Sequence, residues 1–176
     1  MGESSHPTSM SLQSNNSWEP PGYRWLKCNV DTAVHQAGSV YSIRCCFQNS
    51  EGRFVHAQPA WKVANLTILE GEAWALHHAI QVAIDKDWHR VIFELDSNTL
   101  VDCISSPTCG RSEFHTLVSL IKSILVLHPD FEVKFVRRQA NMAAHTLART
   151  ACSWAYHRVF GICPPCIDTI LSNDMN

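Results

Sequence analysis

The sequence predicts an α/β domain built on one mixed sheet, and three observations lead there. Three strand-like segments come first in succession, and strand-like and helix-like segments alternate after them. Leu69, Glu72, Leu76, Ile80 and Ala83 recur at spacings of three and four, the period of one helix face. Clusters of Gly, Asn, Ser and Pro punctuate the segments at the places where such a chain must turn. With 176 residues, 45% hydrophobic and 9% aromatic, the chain can enclose the core of one domain.

Residues 1–21 are rich in Ser, Asn, Gln and Pro and lack periodic apolar positions, so a disordered tail ending at Pro20-Pro21 is expected. The domain is expected to run over residues 22–158. Its first strand, Arg24 to Asp31, alternates: Trp25, Lys27, Asn29 and Asp31 share one face, and Leu26, Cys28 and Val30 the other. Ser39 to Phe47 and Arg53 to Gln58 follow as strands, joined by the turn-forming Asn49-Ser-Glu-Gly52. Thr67 with Glu70 three residues on fits the capping box that opens a helix over 68–86. That gives Glu70 a local task and leaves Glu72, inside the apolar stripe, without one.

A turn at Asp87–His89 leads to a short β-rich strand, 90–95, which ends at Asp96. Ser97 is placed to cap a short helix through Leu100, Val101 and Ile104. Phe114, Leu117, Val118, Ile121 and Leu125 mark a third helix, ended by His128-Pro129 before the strand Phe131 to Val136. Arg137-Arg-Gln-Ala140 is a short polar connection, and Asn141 is a good N-cap for a final helix over 142–156. The order is βββαβααβα, with residues 159–176 as a tail carrying Ile162, Ile167 and Leu171.

Composition narrows the function classes. A net charge of −2 and a pI near 6.5 argue against a strongly basic nucleic-acid binder, so any such contact must come from local Lys and Arg groups. Eight irregularly placed cysteines and the lack of a charged-then-apolar leader lead us to expect a reducing, intracellular setting, nucleus and cytoplasm being indistinguishable. No apolar run approaches membrane-spanning length, and His6 breaks the myristoylation pattern opened by Met1-Gly2.

Candidate site residues come from carboxylates at unusual places. A charge facing a core is costly unless it is paired or bound to a cation, and Glu72 sits in such a stripe. Singly, each acidic residue has an ordinary explanation: Asp31 as a turn former, Glu72 as a snorkelling side chain, Asp96-Ser97 as a helix cap. Together, on adjoining elements, they point to a shared cation. Glu94 shares a strand face with Asp96 and is expected to pair with a Lys or Arg. Arg44, Arg53, Arg111, Arg137, Arg138 and Arg149 are candidate phosphate contacts or plain surface, with Trp25 and Trp61 placed to pack on sugars or bases. Cys163-Pro-Pro-Cys166 is a single CxxC, weak as a zinc or redox motif, and Cys45-Cys46 reads as packing.

Four words carry a family resemblance: Trp25-Leu-Lys-Cys-Asn-Val-Asp31, Gly71-Glu-Ala-Trp-Ala-Leu76, Val91-Ile-Phe-Glu-Leu-Asp-Ser97 and Asn141-Met-Ala-Ala-His-Thr-Leu-Ala-Arg149. In this order they resemble the ribonuclease H family, most closely the plant branch of type 1 ribonuclease H-like domains related to those of retroelement reverse transcriptases. The resemblance implies a five-stranded mixed sheet with three antiparallel N-terminal strands and helices on its faces. It further implies carboxylates that hold two Mg²⁺ ions, or Mn²⁺, over the RNA strand of an RNA–DNA hybrid. By that pattern Asp31 bridges the ions, Glu72 and Asp96 complete the first site, and Thr32, Ser97, Arg137, Arg138 and Asn141 fall along the nucleic-acid side.

Three departures accompany it. His145 stands at the fourth catalytic carboxylate position, where imidazole is a poorer Mg²⁺ ligand than carboxylate, though it serves softer divalent metals. His145 equally suits a plain helix-start residue. The segment 137–140 is too short for the family's histidine loop, and Thr32 puts a Cβ where the family usually has Gly. Two readings follow: a hybrid-cleaving endonuclease with a weakened second metal site, or a retroelement-derived module that binds nucleic acid or protein without catalysis.

Overall fold

A computed structural model describes residues 19–35, 40–107 and 110–142. The expected final helix beyond Met142, His145, Arg149, Cys163, Cys166, the 159–176 tail and nearly all of the N-terminal tail lie outside the described residues. The chain forms β1 (Leu26–His35), β2 (Val40–Gln48), β3 (Phe54–Val63), α1 (Ile68–Asp85), β4 (Val91–Leu95), α2 (Asn98–Ser105), α3 (Glu113–Leu127) and β5 (Phe131–Phe135). A 3₁₀ turn, Arg138–Asn141, follows. The five strands make one sheet in the order β3-β2-β1-β4-β5, antiparallel through the first three and parallel from β1 to β4 to β5.

Three strand ends differ from expectation by two residues or more. β1 runs past Asp31 to His35, because β2 pairs with it from Lys27 opposite Gln48 through His35 opposite Val40. Asp31 is therefore a mid-strand residue. β3 continues through Pro59 to Val63. It is the outermost strand and its register with β2 passes unbroken through Pro59, so the missing N–H falls on the outer side. At the other end of β1, Arg24 lies in a left-handed turn with φ of 64°, outside the strand.

The core forms where α1 and α3 cover one face of the sheet. Cys28, Val30, Ile43, Cys45, Phe47, Val91 and Phe93 meet Leu76, Ala79, Ile80, Ala83, Leu117, Val118 and Ile121. The small buried residues of α1, Gly71, Ala73, Ala75 and Ala79, bring its backbone close to the strands. At Gly71 a Cβ would lie 2.8 Å from the Tyr41 ring. The Tyr41 hydroxyl donates to the Leu66 carbonyl and ties β2 to the entry of α1. The expected capping box is formed: Thr67 Oγ1 accepts from the Glu70 amide at 3.2 Å, and Glu70 accepts from the Thr67 amide at 2.7 Å. Cys45 and Cys46 are fully buried, as packing residues should be. Burial, with a hydrogen bond to the Cys45 thiol, pushes the Cys28 thiol well up.

The opposite face of β1 is buried and polar. Lys27 pairs with Glu94 at 2.8 Å, the partner expected for Glu94. Asn29 donates to the same carboxylate at 3.1 Å. The face therefore carries an internal network that links β1 to β4, and burial lifts Glu94 above the usual carboxylate range against the pull of Lys27. Among the described residues no helix is long and apolar enough to cross a membrane.

Candidate active site

The parallel register pairs Asn29 with Glu94. Carried two residues further, it brings Asp96, just beyond the end of β4, level with Asp31 on β1. Glu72 reaches the same place from the second turn of α1. A cleft of about 420 Å³ is lined by Asp31, Thr32, Val34, Ile68, Glu72, Asp96 and Arg138. Each carboxylate thus comes from a different element, and each element is held by the core.

The charges in this cleft interact. Burial pushes the Glu72 carboxyl up. The Ser97 hydroxyl donates to it and pulls it back, the Asp96 and Asp31 charges push it further up, and Arg138 opposes them. Arg138 Nε lies 3.3 Å from Asp96 Oδ2, so a guanidinium from the 3₁₀ turn already neutralises part of the acidic cleft. Among the described residues no three acidic, histidine or cysteine side chains close on one point tightly enough to form a ready-made metal site. Three mutually repelling carboxylates, one engaged by an arginine, have no reason to close without a cation between them. Their donor set is all hard oxygen, which fits Mg²⁺ or Mn²⁺.

The remaining candidate residues have specific places. Thr32 lines the cleft, and its hydroxyl donates to the Ser42 carbonyl at 3.1 Å. Ser97 occupies the N-cap of α2 but makes no capping bond there, since its hydroxyl is turned to Glu72. Arg137 and Arg138 are exposed on the turn. Asn141 is fully buried, and its amide donates to the Val30 carbonyl at 2.9 Å. It braces the turn against β1, while Asn29 reaches the Ala140 carbonyl at 3.4 Å from the other side.

Arg44 is not on the surface: it is 1% exposed, donates to the Ala60 carbonyl at 2.9 Å and lies 4.6 Å above the Trp61 ring. Arg53 pairs with Glu51 at 3.0 Å. Sequence reasoning singled out Arg138 for phosphate and missed its pairing with Asp96. It also missed the brace from Asn29, although the polar alternation of Lys27, Asn29 and Asp31 on one strand face was a signal for a buried polar network.

A 3-2-1-4-5 mixed sheet with carboxylates converging from its first strand, first helix and fourth strand end defines a ribonuclease H-like domain. The chain belongs to the Reverse transcriptase-like family, whose sequence pattern matches residues 29–151. An Arabidopsis thaliana protein named for ribonuclease H is 27% identical over 168 residues, and this chain spans 89% of itself but 25% of that protein's length. Among solved structures, RNase H1 of the halophilic archaeon Halobacterium salinarum superposes with a TM-score of 0.66 at 18% identity, covering 74% of this chain and 98% of that one. LC11-RNase H1, isolated from compost, superposes in its complex with an RNA/DNA hybrid with a TM-score of 0.59 at 16% identity, covering 68% and 91%. These structures share the fold.

Proposed function

We propose that residues 22–158 form a nucleic-acid-binding domain that cleaves the RNA strand of an RNA–DNA hybrid. The observation that carries this reading is the shared cleft of Asp31, Glu72 and Asp96, in which two like charges act on a half-buried Glu72. In the family reading Asp31, Glu72 and Asp96 hold divalent cations there. Such ions supply an activated water and neutralise charge at the scissile phosphate. Ser97 fixes the rotamer of Glu72 by its hydrogen bond, so that the carboxylate is aimed before substrate arrives. Arg138 gives up Asp96 and turns its guanidinium to a substrate phosphate, supported by the Asn29 and Asn141 braces under its turn. By the family's sequence pattern His145 matches the fourth ligand position, and an imidazole there would favour Mn²⁺ over Mg²⁺.

The Arg138–Asp96 pair also favours a second reading, because an arginine that already neutralises part of the acidic cleft takes a place a metal would otherwise fill. In that reading the domain is a retroelement-derived module that binds nucleic acid without cutting it. Single-turnover cleavage of a labelled hybrid by the purified chain separates the two. The enzyme reading expects cleavage with Mn²⁺ above that with Mg²⁺, lost about a hundredfold or more in Asp96→Asn, and a gain in the Mg²⁺ reaction for His145→Asp. Hybrid binding with no cleavage by wild type or His145→Asp, both folded by circular dichroism, leaves the binding module.

A further inference from the structure

The edge strand β3 and α1 enclose a second cavity, of about 340 Å³, lined in part by Trp61, Lys62, Trp74, His77 and Gln81. None of these residues belongs to the carboxylate cleft. Lys62 Nζ lies 3.1 Å from the centre of the Trp74 ring, and Trp74 meets His77 edge-on at 5.7 Å. All five side chains are half-buried, so they are held in place yet reachable from solvent. Among the described residues no carboxylate pairs with Lys62, whose described contact is the aromatic face.

Among the described residues that line this cavity none is acidic. Burial draws the Lys62 ammonium down, and His77 is drawn down by burial and then by the Lys62 charge. A negative group placed between them would relieve both effects. The volume lies at the small end of ligand pockets, about 300–1,000 Å³, which suits one nucleotide better than a folded partner. The flat indole selects a base over an acidic peptide side chain, because a carboxylate gains nothing from the negative face of an aromatic ring.

We propose that this cavity is a second nucleic-acid contact, taking one nucleotide of a single strand with its base stacked on Trp74 and its phosphate on Lys62 and His77. The base displaces the Lys62 ammonium from the ring, and the ammonium follows the phosphate. Gln81, one turn further along α1 from His77, offers an amide to the base edge. The contact requires neither divalent metal nor cleavage. α1 carries both Glu72 and this platform, so a strand that leaves the carboxylate cleft along α1 meets it.

The test uses the full chain in EDTA and fluorescence anisotropy of a labelled oligo-dT of about eight nucleotides. Wild type binds it. Lys62→Met and Trp74→Leu each weaken binding by about tenfold, whereas Lys62→Arg and Trp74→Phe stay close to wild type. Thermal melts confirm that each variant is folded. Lys62→Met and Trp74→Leu binding as wild type does would overturn the proposal. So would absence of binding by wild type, equal affinity for an abasic strand of the same length, or equal affinity for an aspartate-rich peptide. Because binding is read in EDTA, where a metal-dependent cleavage cannot run, this outcome and that of the cleavage assay stay distinguishable.

Discussion

Glu72 is a carboxyl group whose neighbours oppose its charge. Burial, Asp96 and Asp31 hold its folded-state value above the ordinary glutamate value of about 4.3. The native protein therefore binds more protons than the unfolded chain in the window just above that value, and stability falls as pH rises through it. Glu72→Gln removes the fall, so its melting temperature should exceed that of wild type at neutral pH and converge with it in acid. Thermal denaturation followed by circular dichroism across pH measures this. A bound divalent cation acts in the opposite sense on the ionised carboxyl, so Mg²⁺ or Mn²⁺ should raise the wild-type melting temperature at neutral pH, and Asp31→Asn should abolish the rise. Glu72 was legible in the sequence because it interrupts an apolar stripe. The partner of Asp96 was not, because Arg138 arrives from a turn forty-two positions along the chain, and Ser97 was assigned to a helix cap it does not make.

Between elements, the site depends on how closely α1 approaches the sheet. A methyl group at Gly71 would meet the Tyr41 ring at 2.8 Å, and Thr32 Cγ2 stands at 3.7 Å behind it. Gly71→Ala should destabilise the fold by about 1–3 kcal/mol in urea denaturation and lower metal-dependent stabilisation, since Glu72 is the next residue. The link between β1 and β4 has a different character. Lys27 and Glu94 are both buried, so Lys27→Met alone leaves a buried carboxylate unpaired and should cost about 3–5 kcal/mol. Lys27→Met with Glu94→Leu should cost clearly less, which equilibrium unfolding of the single and double variants will resolve. Among the described residues, the existence and type of the eight strands and α-helices were readable from period and turn chemistry. Their ends were not, where pairing partners decide: β1 passes Asp31 because β2 accompanies it, and β3 passes Pro59 because, among the described residues, no strand pairs on its outer side.

For the molecule as a whole, a net charge of −2 means that, in the proposed function, nucleic acid would be met by a few local cations and not by a general field. Arg137, Arg138 and Lys62 are the exposed or half-buried ones nearest the two proposed contacts. Hybrid binding should therefore weaken only gently with salt, with a slope of log affinity against log salt concentration of about −3 or shallower, measurable by anisotropy titrations at several KCl concentrations. That the sheet is mixed was readable from a run of strands followed by strands alternating with helices, whereas the order β3-β2-β1-β4-β5, set by pairings far apart in sequence, was not, since period and punctuation do not fix which strands adjoin. The outermost strand carries one more consequence. An exposed β edge is a template on which a second molecule can lay a strand and seed a growing fibril. Pro59, midway along β3, presents a rigid ring where that incoming strand would need a donor, so Pro59→Val, which restores the N–H, should leave the domain folded but make concentrated solutions turn cloudy and bind thioflavin.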